Sequence, residues 1–302
     1  MNGSLNRYVS TAFSLLLSNR ARRIGERLVT LIAIAGFLIH LLLIAAAQME
    51  WLDVDDTSEL LASPIAAIYT PFSFILIYEV YLLIFYIPKS TSSYIGKQYE
   101  IITLIVVRKI FKDLANLQLS TDWFLIPEDR QFTFDIMGTL VLFFLIYLFY
   151  RLNQARELPA AASVIQGSLK RYIRIKKIIA LLLVPVLLSL AIYSLSLWII
   201  ESFFSLSEMV EGITNLNKIF FDEFFMVLVI TDVFLLLVSL IYTDDFSTVI
   251  RNSGFIISTI LIKISFATEG LVNLFLIVGA VSFGVVIQLI FTRYEKNGIA
   301  QS

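Results

Sequence analysis

The feature that most restricts this chain is a series of apolar runs, each about as long as a bilayer's hydrocarbon core is thick. Five are plain, at 28–47, 65–87, 132–150, 178–200 and 271–291, and each is near the ~20 residues a helix needs to cross. A sixth, 224–242, is broken only by Thr231 and Asp232. Pro64 stands at the start of the second run, and Pro185 predicts a kink inside 178–200. The expected fold class is an all-α polytopic membrane protein.

Composition points the same way. Of 302 residues, 58% are hydrophobic and 16% charged, where soluble domains carry nearer a quarter charged residues. The chain has no cysteine, which excludes disulfides, thiolate metal sites and cysteine nucleophiles. His40 is its one histidine, which excludes bis-histidine haem bundles and histidine-rich metal sites. No cofactor or metal is expected. Residues 1–17 are too polar for a secretory signal, and the first apolar run lacks a small-residue cleavage pattern.

Two further segments carry charge. The stretch 95–117 holds Arg108, Lys109, Lys112 and Asp113, and 255–266 holds Lys263. The positive-inside rule decides both, because it constrains every loop separately. If both cross, there are eight spans with both termini on one side. That side then holds Arg20, Arg22, Arg23, Arg27, Lys89, Lys97, the cluster from Arg151 to Lys177, Arg251, Arg293 and Lys296. The other side holds only Arg130 and Lys218, among acidic loops that include Asp53, Asp55 and Asp56. Trp51, Trp123 and Trp198 fall at its boundary, as an interfacial aromatic belt would. Leaving 95–117 on the surface would put the Arg151–Lys177 cluster outside. The expected topology has cytoplasmic termini, in the plasma (inner) membrane of a prokaryote.

The halves also resemble each other. "RRIGERLVTLIAI" from Arg22 pairs with "RYIRIKKIIALLL" from Arg171. "YEVYLLIFY" pairs with "TDVFLLLVS", placing Glu79 over Asp232, and "IITLIVVRK" pairs with "IISTILIKI", placing Arg108 over Lys263. The expected organisation is two tandem four-span units. Residues 1–156 hold spans at 28–47, 65–87, 95–117 and 132–150; residues 157–302 hold spans at 178–200, 224–242, 255–266 and 271–291. An even number of spans per unit makes the repeat parallel. Stripes at Leu5, Val9, Ala12, Phe13 and Leu16, and at Ala162, Val164, Ile165 and Leu169, predict an interfacial amphipathic helix before each unit.

Charges inside a bilayer are expensive, so they pair or face a hydrated interior. Counting residues from the expected inner ends puts Glu79 level with Arg108, and Asp232 level with Lys263, which predicts two ion pairs. Lys109 and Asp113 are spaced to pair along one helix, with Arg108 and Lys112 on another face. Such pairs either fix helix register or line a path for protons or cations. A voltage-sensing unit would need an arginine-rich fourth helix, and 132–150 carries only Asp135.

No glycine-rich phosphate loop is present, and hydrolysis inside the membrane lacks catalytic partners, so the chain is not expected to be an enzyme. His40 reads as a hydrogen-bonded bundle residue, and Asp53–Asp56 as a solvated loop rather than a divalent-cation site. The expected function is transport or conduction of a small ion, a proton or a cation. The competing expectations are a scaffold or subunit of a larger membrane complex, and a membrane sensor. The expected partners are the lipid bilayer and self-association or other membrane subunits, with no nucleic acid.

Overall fold

A computed structural model describes residues 10–49, 64–114, 125–154, 166–204, 216–242 and 245–296. Among them there is no strand. A short helical stretch at 10–16 leads into eight long helices. These are α1 (Asn19–Gln48), α2 (Tyr69–Tyr86), α3 (Thr91–Leu114), α4 (Pro127–Gln154), α5 (Gln166–Phe204), α6 (Leu216–Tyr242), α7 (Phe246–Ser265) and α8 (Gly270–Lys296). A 3₁₀ turn at Pro64–Ile68 opens α2, where the proline supplies the start signal. The helix α5 runs unbroken through Pro185.

Five stretches are long and apolar enough to cross a membrane: Ser10–Gln48, Asp129–Gln154, Glu223–Tyr242, Phe246–Ser265 and Gly270–Glu295. Their outward faces are apolar. On α4, Met137, Leu140, Phe143, Phe144 and Tyr147 are all exposed, and on α1 so are Leu28, Leu31, Leu38 and Leu42. Contiguous apolar surface on this scale would drive a water-soluble chain to aggregate, whereas lipid covers it without penalty. The chain fits an integral membrane protein.

Helix ends follow their capping residues. Ser18 caps α1, its Oγ accepting from the Ala21 N–H at 3.1 Å. Ser90 accepts from the Ser93 N–H at 3.2 Å, so α3 begins at Thr91. That is one turn earlier than 95–117 implies, and residues 115–117 lie outside the described residues. Asp245 caps α7 through both oxygens, which take the Ser247 and Thr248 N–H groups and hydroxyls. Slight burial pushes the Asp245 carboxyl up, but these bonds from Thr248 and Ser247 outweigh it and hold the group below the usual carboxylate range.

With that cap, α7 spans Phe246–Ser265 rather than only 255–266. Its low hydropathy has a spatial cause. Arg251, Asn252, Ser258, Thr259 and Ser265 are buried on one face, while Ile250, Ile257, Ile260 and Ile264 are exposed on the other. The helix is polar inward and apolar outward, the reverse of a soluble amphipathic helix.

Consecutive helices pack in the same order in each half: α1 on α2, α2 on α3, α3 on α4, then α5 on α6, α6 on α7, α7 on α8. The halves meet where α4 packs on α8, α2 on α5, and α3 on α7. The core between them centres on Tyr99 of α3, whose ring meets Phe149 of α4 edge-on at 5.2 Å, while Phe149 meets Phe255 of α7 at 5.7 Å. Gly284 of α8 admits the Tyr99 ring tip, because a Cβ there would overlap the phenol oxygen. Gly138 of α4 admits Leu274 of α8 in the same way. Small residues that let helices approach closely are the usual device where lipid removes the hydrophobic drive for association.

Of the two predicted interfacial stripes, Phe13 packs inward under the Lys177 ammonium, 5.0 Å from its ring centroid. Leu17 is fully buried and Leu16 exposed. Leu5, Val9, Ala162, Val164 and Ile165 lie outside the described residues, as do Trp51, Trp123 and the Asp53–Asp56 loop.

Candidate functional site

The polar interior converges on α3, the helix whose charges hide it from a hydropathy scan. Gln98 is completely buried. Its Nε2 donates to Asp232 Oδ2 of α6 at 2.9 Å, and its Oε1 accepts from the Thr259 hydroxyl of α7 at 2.9 Å. One amide side chain thus ties three helices across the interface between the halves. Beside it, the Ser258 hydroxyl gives its single proton to the Ala280 carbonyl at 2.6 Å. Tyr99 must therefore be the donor in its 2.8 Å contact with Ser258, giving a directed chain from α3 through α7 to α8.

Next to Asp232 lies a cavity of about 30 Å³, lined by Tyr94, Tyr172, Lys176, Ser239 and Asn252 among others. A water needs roughly 10–15 Å³ and two to four polar partners, so the cavity takes one or two. Lys176 is itself buried and donates to the Lys89 carbonyl at 3.1 Å, pinning α5 to the α2–α3 turn. Arg251, on the same side of α7, stacks its guanidinium over Phe291 of α8 at 4.3 Å. Asp232 makes no salt bridge among the described residues, although it is 5% exposed.

A second cluster joins α2, α3 and α4. The Lys97 ammonium lies 2.8 Å from Glu79 Oε2 and 2.6 Å from Glu100 Oε2, and the Tyr150 hydroxyl donates to Glu100 Oε1 at 2.6 Å. Two carboxylates share one cation. A third cluster, farther along α3, pairs Lys109 with Asp135 of α4 at 2.9 Å, and Gln131 donates to the other Asp135 oxygen at 2.8 Å.

These pairings correct the expected ones. Glu79 takes Lys97 rather than Arg108, and Asp232 takes Gln98 rather than Lys263. The cause is the helix starts. Glu79 lies seven residues from the end of α2, and Lys97 six from the start of α3, so they stand level. Arg108 is eleven residues further along, about 16 Å at ~1.5 Å per residue. By the same count Lys263 stands about 10 Å beyond the level of Asp232. Lys109 likewise bridges to another helix instead of pairing with Asp113 along its own. Arg108 is buried, Asp113 and Lys263 are half-buried, and the Lys112 side chain lies outside the described set. His40 is the hydrogen-bonded bundle residue it was expected to be, with Nδ1 2.6 Å from the Thr70 hydroxyl.

Sequence reasoning missed Tyr94, Gln98, Glu100 and Tyr150, and counted Lys97 among the charges of the inner side rather than as the partner of Glu79. Ser90 was the available signal. Read as an N-cap two residues after Pro88, it starts the helix early enough to carry Tyr94 and Gln98, four apart, on one inward face.

No family model, curated protein or solved structure matches this chain.

Proposed function

We propose that the chain moves a small cation or a proton across the membrane, with Asp232 as the group that takes it up. The observation that carries this reading is a buried carboxylate held by a neutral amide, beside a water-sized cavity where the two halves meet. A carboxylate kept only to fix helix register would be expected in direct contact with a cation, as Asp135 is with Lys109, whereas Lys176 shares the cavity with Asp232 without bridging to it. An acid that must exchange its counter-ion needs the opposite arrangement: hydrogen bonds that orient it, and space for water. Tyr94, Lys176 and Asn252 line that space, and Gln98 and Thr259 fix the carboxylate.

In this reading the chain has eight spans in two tandem four-span units, 1–156 and 157–302, with both termini cytoplasmic in a prokaryotic plasma membrane. The matching order of helix contacts in the halves supports the duplication, and so does the pairing of α3 with α7 and α4 with α8 across them. In the transport reading Arg108, Lys112 and Asp113 of α3, with Arg251 and Lys263 of α7, are the remaining charges on these two helices.

The competing reading, a membrane scaffold or subunit, is favoured by one observation. Lys97 and Lys109 already bind carboxylates, and neutralised pairs hold helices together without moving anything. Flux decides between them. Purified protein in liposomes, loaded with a pH-sensitive dye and given a potassium or sodium gradient, should pass protons or one of these cations. Asp232→Asn should fold and bring the flux down to that of empty liposomes. Wild-type liposomes no leakier than empty ones would return the chain to the scaffold reading.

A further inference from the structure

Away from the buried clusters, cations collect where the N-terminal stretch, the α2–α3 turn and α5 come together. The Arg22 guanidinium and the Lys89 ammonium both lie against Phe85, 5.4 and 5.3 Å from its ring centroid. Lys177 lies over Phe13 at 5.0 Å, and its neighbour Lys176 donates to the Lys89 carbonyl, which brings the three cations to one end of the bundle. Tyr81 donates to the Leu16 carbonyl at 2.7 Å and Tyr78 to the Arg22 carbonyl at 3.1 Å, fixing the N-terminal stretch and α1 against α2.

Among the described residues no carboxylate forms a salt bridge with these three cations, and Arg22 Nε is buried without a hydrogen-bond partner. Glu26, one turn along α1 from Arg22, makes no salt bridge among them either. The amino-terminal end of α1, with its positive dipole end, faces the same side. The N-terminal stretch, which carries Phe13 under Lys177 and is held by Tyr81, is apolar on its outer side, where Leu15 and Leu16 are exposed.

We infer that Arg22, Lys89 and Lys177 form a binding site for the phosphate of an anionic phospholipid, whose acyl chains run along Leu15 and Leu16. Phosphate chemistry answers the three cations, and the adjoining apolar strip selects a lipid over a free phosphate. The site does not depend on whether the chain transports an ion.

Native mass spectrometry of the full chain in mild detergent, titrated with phosphatidylglycerol, phosphatidylcholine or glycerol 3-phosphate, tests it. Wild-type protein should hold phosphatidylglycerol in preference to phosphatidylcholine. Each cation near a membrane surface contributes about fivefold to anionic-lipid affinity. The triple variant Arg22→Gln, Lys89→Gln, Lys177→Gln should therefore lose the bound lipid by about a hundredfold. A control triple, Arg130→Gln, Arg151→Gln, Arg293→Gln, removes the same number of charges at exposed positions off α5 and should leave binding unchanged. If the site triple does not fold, Lys89→Gln alone, at an exposed position, should weaken binding about fivefold. Equal losses in the two triples, equal retention of phosphatidylcholine, or displacement by glycerol 3-phosphate at matched concentration would each overturn the assignment.

Discussion

Lys97→Met destabilises the protein by about 3–5 kcal/mol, the range for stripping one partner from a buried pair. The lysine sits between Glu79 and Glu100, and the Lys97 and Glu79 side chains are only 13% and 15% exposed. Removing the ammonium leaves the two carboxylates repelling each other, and the cost falls mainly on Glu79, because Glu100 is 34% exposed and keeps its bond from Tyr150. The Glu79→Gln change added to Lys97→Met should restore part of the loss, because it removes one of the stranded charges. Lys97→Met combined with Arg108→Gln should restore nothing, since Arg108 stands three turns away along α3. Thermal unfolding in detergent and the yield of monodisperse protein read both effects. A Lys97→Met protein as stable as the wild type would mean the cluster is hydrated and contributes little.

Gly284→Leu is expected to be nearly as damaging. Tyr99 is fully buried, and its phenol oxygen occupies the place a side chain at 284 would need. The ring cannot retreat, because Phe149 lies edge-on against it and Ser258 accepts its proton. Overpacking of this kind costs about 1–3 kcal/mol, and a broken buried hydrogen bond adds about 1–3 kcal/mol where a polar atom is left unsatisfied. Even Gly284→Ala should lower the unfolding temperature measurably. Shortening the opposing side chain, in Gly284→Ala with Tyr99→Leu, should recover part of the packing term. A Gly284→Ala protein with unchanged stability would show that α3 and α8 are less closely apposed than the Tyr99 contact implies.

The apolar helices were legible because hydropathy is a sum over twenty residues. The burial pattern of α1, α4 and α8 follows directly from apolar runs that lipid can cover on one side. Pairing was not legible in the same way, because it depends on where each helix starts. Counted from its actual start at Thr91, α3 carries Arg108 three turns beyond the level of Glu79, so Lys97 replaces Arg108 as the partner. Charge complementarity could not warn of this, since both candidates are cations. Gln98 was overlooked for a different reason: it lies inside 95–117, but an uncharged amide draws no notice in a search for paired charges. The weak hydropathy of α7 has the same origin, since its polar residues are the ones that turn inward.

All of this requires α3 to cross the membrane with its Thr91 end on the side of the termini. The chain has no cysteine of its own, so single cysteines report their position cleanly. Ser90 and Leu125 are both exposed and lie beyond opposite ends of α3. In intact cells, an impermeant maleimide should label the Leu125→Cys protein from outside, and the Ser90→Cys protein only after the membrane is opened. Labelling of both from the same side would place α3 on the surface and contradict a polar core built around it.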